Sequence, residues 1–144
     1  MSNLKNIVKT PEELWKTTKY GVQLNYPIFH YDPSSPFEMN FKNSVEDVIE
    51  DIQFWDWEWD ERERIIDSSG NVFKSEFRTN ESVPFGVFPG QVERKMELLE
   101  VKQMIEVCLK INQLRSKDII AILLNRIESS KSIKEIFMVG ERFF

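Results

Sequence analysis

From Trp55 to Asp60 aromatic and acidic residues alternate without a break, Trp55-Asp56-Trp57-Glu58-Trp59-Asp60. A period of two predicts a β-strand, because successive side chains leave a strand on opposite faces. Trp55, Trp57 and Trp59 then share one face, and Asp56, Glu58 and Asp60 the other. Just before this stretch the period is helical. Behind Ser44, a helix opener, Val45, Val48, Ile49 and Ile52 fall at i, i+3, i+4 and i+7 and make one apolar stripe. Glu46, Asp47, Glu50 and Asp51 take the opposite face. Acids near a helix N-terminus gain from the macrodipole, but like charges at i,i+4 oppose one another.

The same reading extends in both directions. Thr10, Pro11 and Glu13 make a helix start with a cap, a proline at the first position and a capping box. That helix should end by Gly21, anchored by Leu14 and Trp15. Residues 22–26 read as a strand. Pro27, Pro33 and Pro36 bracket a loop that carries the only histidine, His30, expected to face solvent, and residues 37–41 alternate as an edge strand. After the tryptophans, residues 64–66 stay extended, 67–71 make a turn and 72–77 return as a hairpin strand. Residues 83–87 form a further strand, with Pro84, Pro89 and Gly90 as punctuation. From Met96 onward Leu98, Leu99, Val101, Met104, Ile105, Cys108 and Ile111 mark a long amphipathic helix. Ser116 caps a second helix over 117–127, apolar on nearly every side and expected to lie buried between neighbours. Ser132 and Glu135 open a third before Gly140. The predicted fold class is α+β: a small antiparallel sheet packed against the helices of residues 45–52 and 98–111, with a helical C-terminal third. It reads as one domain over 1–144, with a possible sub-boundary near residue 95.

Composition makes a packed core feasible. Of 144 residues 41% are apolar and 12% aromatic, which excludes a disordered chain. Three tryptophans on one strand face belong in such a core, where Trp57 would contribute about 3–5 kcal/mol against truncation to Ala. The longest apolar run, residues 119–124, is too short to cross a bilayer, and Met1-Ser2-Asn3-Leu4-Lys5 does not open a secretory signal. The single Cys108 cannot form an internal disulfide and sits in an apolar helical pattern. A reducing, cytoplasmic setting is the expectation.

Charge changes the picture more. Residues 44–67 hold ten acids against Arg62 and Arg64, a net of −8, whereas the whole chain carries −5 and the remainder is therefore +3. Such a segment repels nucleic acid and attracts a basic partner. Catalytic chemistry is harder to place. Alternate residues of a strand lie almost 7 Å apart, so Asp56, Glu58 and Asp60 cannot jointly reach one cation. A glycosidase would need carboxylates and tryptophans around one cleft, but a strand sends them opposite ways. A hydrolase base would have to be His30, and no nucleophile motif accompanies it. No spacing suits a phosphate-cradling loop or a cofactor, and the lysines of the C-terminal helices form no basic stripe.

A small, acidic chain with a Trp/Asp-rich centre and no enzyme motif resembles the immunity proteins of bacterial toxin systems. The resemblance covers residues 44 to about 108, centred on Asp51-Ile52-Gln53-Phe54-Trp55-Asp56-Trp57-Glu58-Trp59-Asp60. It implies a non-catalytic module that neutralises a cognate basic toxin by covering it, with Glu46, Glu50, Asp51, Asp56, Glu58 and Asp60 as the partner-binding set and no catalytic or metal residues. The alternatives are a structural or scaffolding interaction protein, or a carbohydrate-binding module should the tryptophans be exposed.

Overall fold

The structure, a computed structural model, describes residues 10–36, 38–52, 60–77, 86–112 and 115–144. Among the described residues five strands form one antiparallel sheet in the order β2-β1-β3-β4-β5: β1 (Ile28–Tyr31), β2 (Asn40–Lys42), β3 (Arg64–Ile66), β4 (Asn71–Phe77) and β5 (Val87–Lys95). Five helices among the same residues accompany them: α1 (Pro11–Lys16), α2 (Val45–Ile52), α3 (Leu98–Ile111), α4 (Lys117–Ser129) and α5 (Ile133–Phe143). The fold is α+β, with the helical C-terminal third that the periodicity predicts.

Alternation along the strands sorts the core into two layers. Phe29 pairs with Ile66 and Ile66 with Val72, so these three share a face. They pack with Val101, Ile105, Leu109, Leu123, Ile136 and Phe137 from the C-terminal helices. Ile65 pairs with Phe73 on the other face, and with Ile28 and Phe88 they pack on Leu14, Trp15, Val45 and Val48. The C-terminal helices thus share an apolar cluster with strands from before residue 95. Burying side chains such as Trp15 and Phe29, each at most 1% exposed, supplies the main favourable term at about 25 cal/mol per Å² of apolar area.

The hairpin between β3 and β4 is built on a buried carboxylate. Asp67 is 0% exposed, and its oxygens accept from the backbone N–H groups of Asn25, Ser69 and Asn71 and from the Asn25 and Asn71 amides. A buried charge persists only when hydrogen-bonded in this way. Gly70 completes the turn at φ +90°, a conformation that glycine alone adopts readily. Its carbonyl accepts the Met96 N–H at 2.7 Å, which ties the turn to the start of α3.

Several expectations need correction. Residues 22–26 do not form a strand; Gln23 makes only an isolated bridge with Thr17. β5 starts at Val87 and runs to Lys95, so Pro89 and Gly90 lie inside a strand rather than ending one. Pro89 is tolerated because, among the described strands, β5 lies at the edge and carries ladder bonds on one side only. α4 is not enclosed: Leu123 and Ile127 are buried, but Ile119 and Ile122 are 36% and 50% exposed. His30 lies in β1 rather than in a loop, and its side chain is only 15% exposed. The tryptophan strand and residues 83–85 lie outside the described residues, as does the predicted burial of Trp57.

Candidate functional site

The acids of the 44–67 segment divide by what they touch. Asp47 lies at the third position of α2. Its N–H donates to the Ser44 hydroxyl, and its carboxylate accepts the Asn43 N–H, so it caps its own helix. Asp67 holds the hairpin turn. Glu63 is 6% exposed; one oxygen meets His30 Nε2 at 2.7 Å and the other accepts the Asp60 N–H at 2.8 Å, so the pair joins β1 to the approach of β3.

Asp60, one of the expected partner-binding residues, is likewise committed to a local contact. Both its oxygens accept from the Arg62 guanidinium, the shortest contact being 2.6 Å. Those bonds, with the Arg62 backbone N–H, lower its carboxyl to about 2. Its charge is therefore largely matched where it stands. Arg64 forks onto Glu93 at 3.1 Å and also donates to the Glu61 and Glu63 carbonyls.

Glu46 and Glu50 are different. Both are exposed on α2, one turn apart, and among the described residues neither has a hydrogen bond or ion pair. They line a groove of about 240 Å³ between α1 and α2, together with Val45, Ile49, Glu12 and Lys16. α1 is set in place by its N-cap, where Thr10 Oγ1 accepts the Glu13 N–H at 3.2 Å, by Pro11 in its first turn, and by burial of Leu14 and Trp15. That burial leaves Glu12 and Lys16 outward, one turn apart. The Tyr26 hydroxyl donates to the Trp15 carbonyl of α1 at 2.6 Å. Burial, with the nearby Glu46 charge, pushes the Tyr26 phenol above its ordinary range, so it stays a proton donor.

Of the expected set, then, the structure brings Glu46 and Glu50 to one groove and ties Asp60 to Arg62. Asp51 lies in the last turn of α2, and Asp56 and Glu58 are outside the described residues. Glu12 and Lys16 were not anticipated. Their exposure on α1 is legible from the sequence, but the packing of α1 against α2 is not. Among the described residues no group of three or more His, Cys, Asp or Glu side chains is placed to hold a metal ion, and no helix is long and apolar enough to cross a membrane.

What the fold and the groove define is an α+β chain with an acid-rimmed cleft on one side of its sheet. Comparison with protein-family models, with curated proteins and with solved structures returned no match.

Proposed function

We propose that the chain is a non-catalytic protein-binding module that offers the acidic surface of α2 to a basic protein partner, and that this partner is a toxin neutralised by the docking. The observation that carries the reading is the contrast among the acids. Asp60, Glu63, Glu76, Glu93 and Glu100 each face a cation or histidine within the chain, at 2.6–3.3 Å. Glu46 and Glu50 make no ion pair among the described residues, and Glu12 and Lys16 line the groove with them. Unmatched carboxylates of one sign raise a field that steers a cation and speeds its association.

The experiment is a pull-down from the native host with wild-type protein and a Glu46→Lys/Glu50→Lys variant, followed by titration of the retained protein. Exposed substitutions of this kind change stability by about 0.5 kcal/mol or less. The expected partner is basic, is lost from the variant and binds more slowly as salt rises. Equal retention by both proteins would overturn the reading. A toxin gene beside this one would favour immunity over scaffolding.

A further inference from the structure

We propose that the groove between α1 and α2 seats one arginine side chain of the partner; this rests on the protein-binding reading above. The groove's size sets the scale of the occupant. Small-molecule sites run to roughly 300–1,000 Å³, so about 240 Å³ suits one long side chain better than a cofactor. The lining has two parts. Val45 and Ile49 offer apolar surface, against which a chain of methylenes packs with its charged head left at the rim. Glu46 and Glu50 stand at that rim one helical turn apart, and Glu12 stands on the opposing helix.

The arrangement favours arginine over lysine. A guanidinium carries five N–H donors in one plane and can address two carboxylates at once, whereas an ammonium is a compact point charge that holds its water more strongly. Arginine is also enriched in protein interfaces and lysine depleted. Three carboxylates, Glu12, Glu46 and Glu50, against the one ammonium of Lys16 leave a negative excess that a guanidinium reduces. Without an occupant Glu46 and Glu50 repel at i,i+4, so a bound cation removes a cost the folded chain otherwise carries.

The test uses the full chain, 15N-labelled, titrated with N-acetyl-arginine methylamide. Two controls separate the parts of the ligand: the citrulline analogue keeps the stem without the charge, and guanidinium chloride keeps the charge without the stem. The expected result is a saturable shift of the Glu12, Lys16, Val45 and Ile49 amides with arginine, and little response to either control at equal concentration. Glu46→Gln/Glu50→Gln, with an unchanged melting temperature, should weaken the arginine response about tenfold or more, as expected for loss of charge-assisted hydrogen bonds. Equal response to citrulline or to guanidinium would overturn the proposal. So would arginine shifts spread over exposed acids elsewhere, such as Glu38, Glu61 and Glu141, or shifts indifferent to the glutamine variants. If the Glu46→Lys/Glu50→Lys variant loses its partner while arginine leaves the groove amides unmoved, protein binding stands and the arginine seat falls. If arginine binds as expected and no basic partner is retained, the seat stands and the partner assignment falls.

Discussion

Gly140→Ala in α5 sets two physical effects against each other with opposite signs. In an exposed helix interior the change would stabilise by about 1 kcal/mol, because alanine is the better helix former. Gly140, however, is buried where α5 lies on β2. A Cβ built on it meets three carbons of the Phe41 ring at 2.3, 2.5 and 2.6 Å. Carbon atoms pack comfortably at about 3.5–4.0 Å, so either the ring or the helix must retreat by about 1 Å. The ring has little room: its centroid is 4.8 Å from that of Phe29, 5.9 Å from Phe137 and 6.2 Å from Phe144. Overpacking of this kind costs about 1–3 kcal/mol, and here the upper part of the range applies. The expected outcome is a net loss of about 1–2 kcal/mol, with Tm falling by about 2–4 °C for each kcal/mol. Urea denaturation measures it directly. A Phe41→Leu background supplies the control: with the ring gone, Gly140→Ala should cost at least about 1 kcal/mol less. If Gly140→Ala is neutral or stabilising in the wild-type background, α5 does not approach β2 this closely.

Three further outcomes follow from other contacts. Asp67→Ala strips the partner from the part-buried backbone donors of Asn25, Ser69 and Asn71, and should cost about 2–4 kcal/mol by chemical denaturation; a loss under about 1 kcal/mol would mean the turn does not depend on the carboxylate. The Asp60 carboxyl, followed by carbon NMR, should titrate at about 2 and move up toward 3.8 in Arg62→Gln. Because the folded value is depressed, the stability that Arg62 supplies is present above about pH 4 and is lost as pH falls toward 2; a pH-independent difference between the two proteins would contradict the pairing. Burial pushes the Cys108 thiol up to about 11, so it should react with an aromatic disulfide reagent only after unfolding, and stoichiometric labelling of the native protein within minutes would contradict its burial.

The local elements were the most legible. α2 spans the predicted residues because Ser44 and the stripe of Val45, Val48 and Ile49 specify a start and a face within one short window. The caps of α1, α4 and α5 at Thr10, Ser116 and Ser132 were readable for the same reason, each hydroxyl accepting the N–H three residues on. What failed depends on partners distant in sequence. His30 looked like a loop residue among prolines, but pairing with Asn40 and Ile65 draws it into the sheet. β5 reads too short because Pro89 and Gly90 stop a strand paired on both sides, and only topology reveals that it has one neighbour among the described strands. α4 carries apolar side chains on most sides, so periodicity could not tell that Ile119 and Ile122 would stay outward. At the candidate site the charge run pointed to Glu46 and Glu50. Nothing local joins them to Glu12, which precedes Glu46 by 34 residues (46 − 12), because that meeting is made by helix packing.

The His30–Glu63 contact also bears on how the strands choose their alignment. Both faces of β1 look onto apolar layers, Phe29 toward Ile136 and Phe137, Ile28 toward Trp15 and Val48. A slip of β1 by one residue would exchange those faces while leaving comparable backbone pairing. Exchanging Ile28 and Phe29 alone would be a modest penalty, since each would still be buried. His30 makes the two alignments unequal. Slipped, its ring would turn among the side chains of the C-terminal helices, 2.7 Å no longer separating it from Glu63, and both groups would lose a partner in poorly hydrated surroundings. This hydrogen-bonded polar pair thus works as a register key for β1, favouring a single threading of the chain over its nearest competitor.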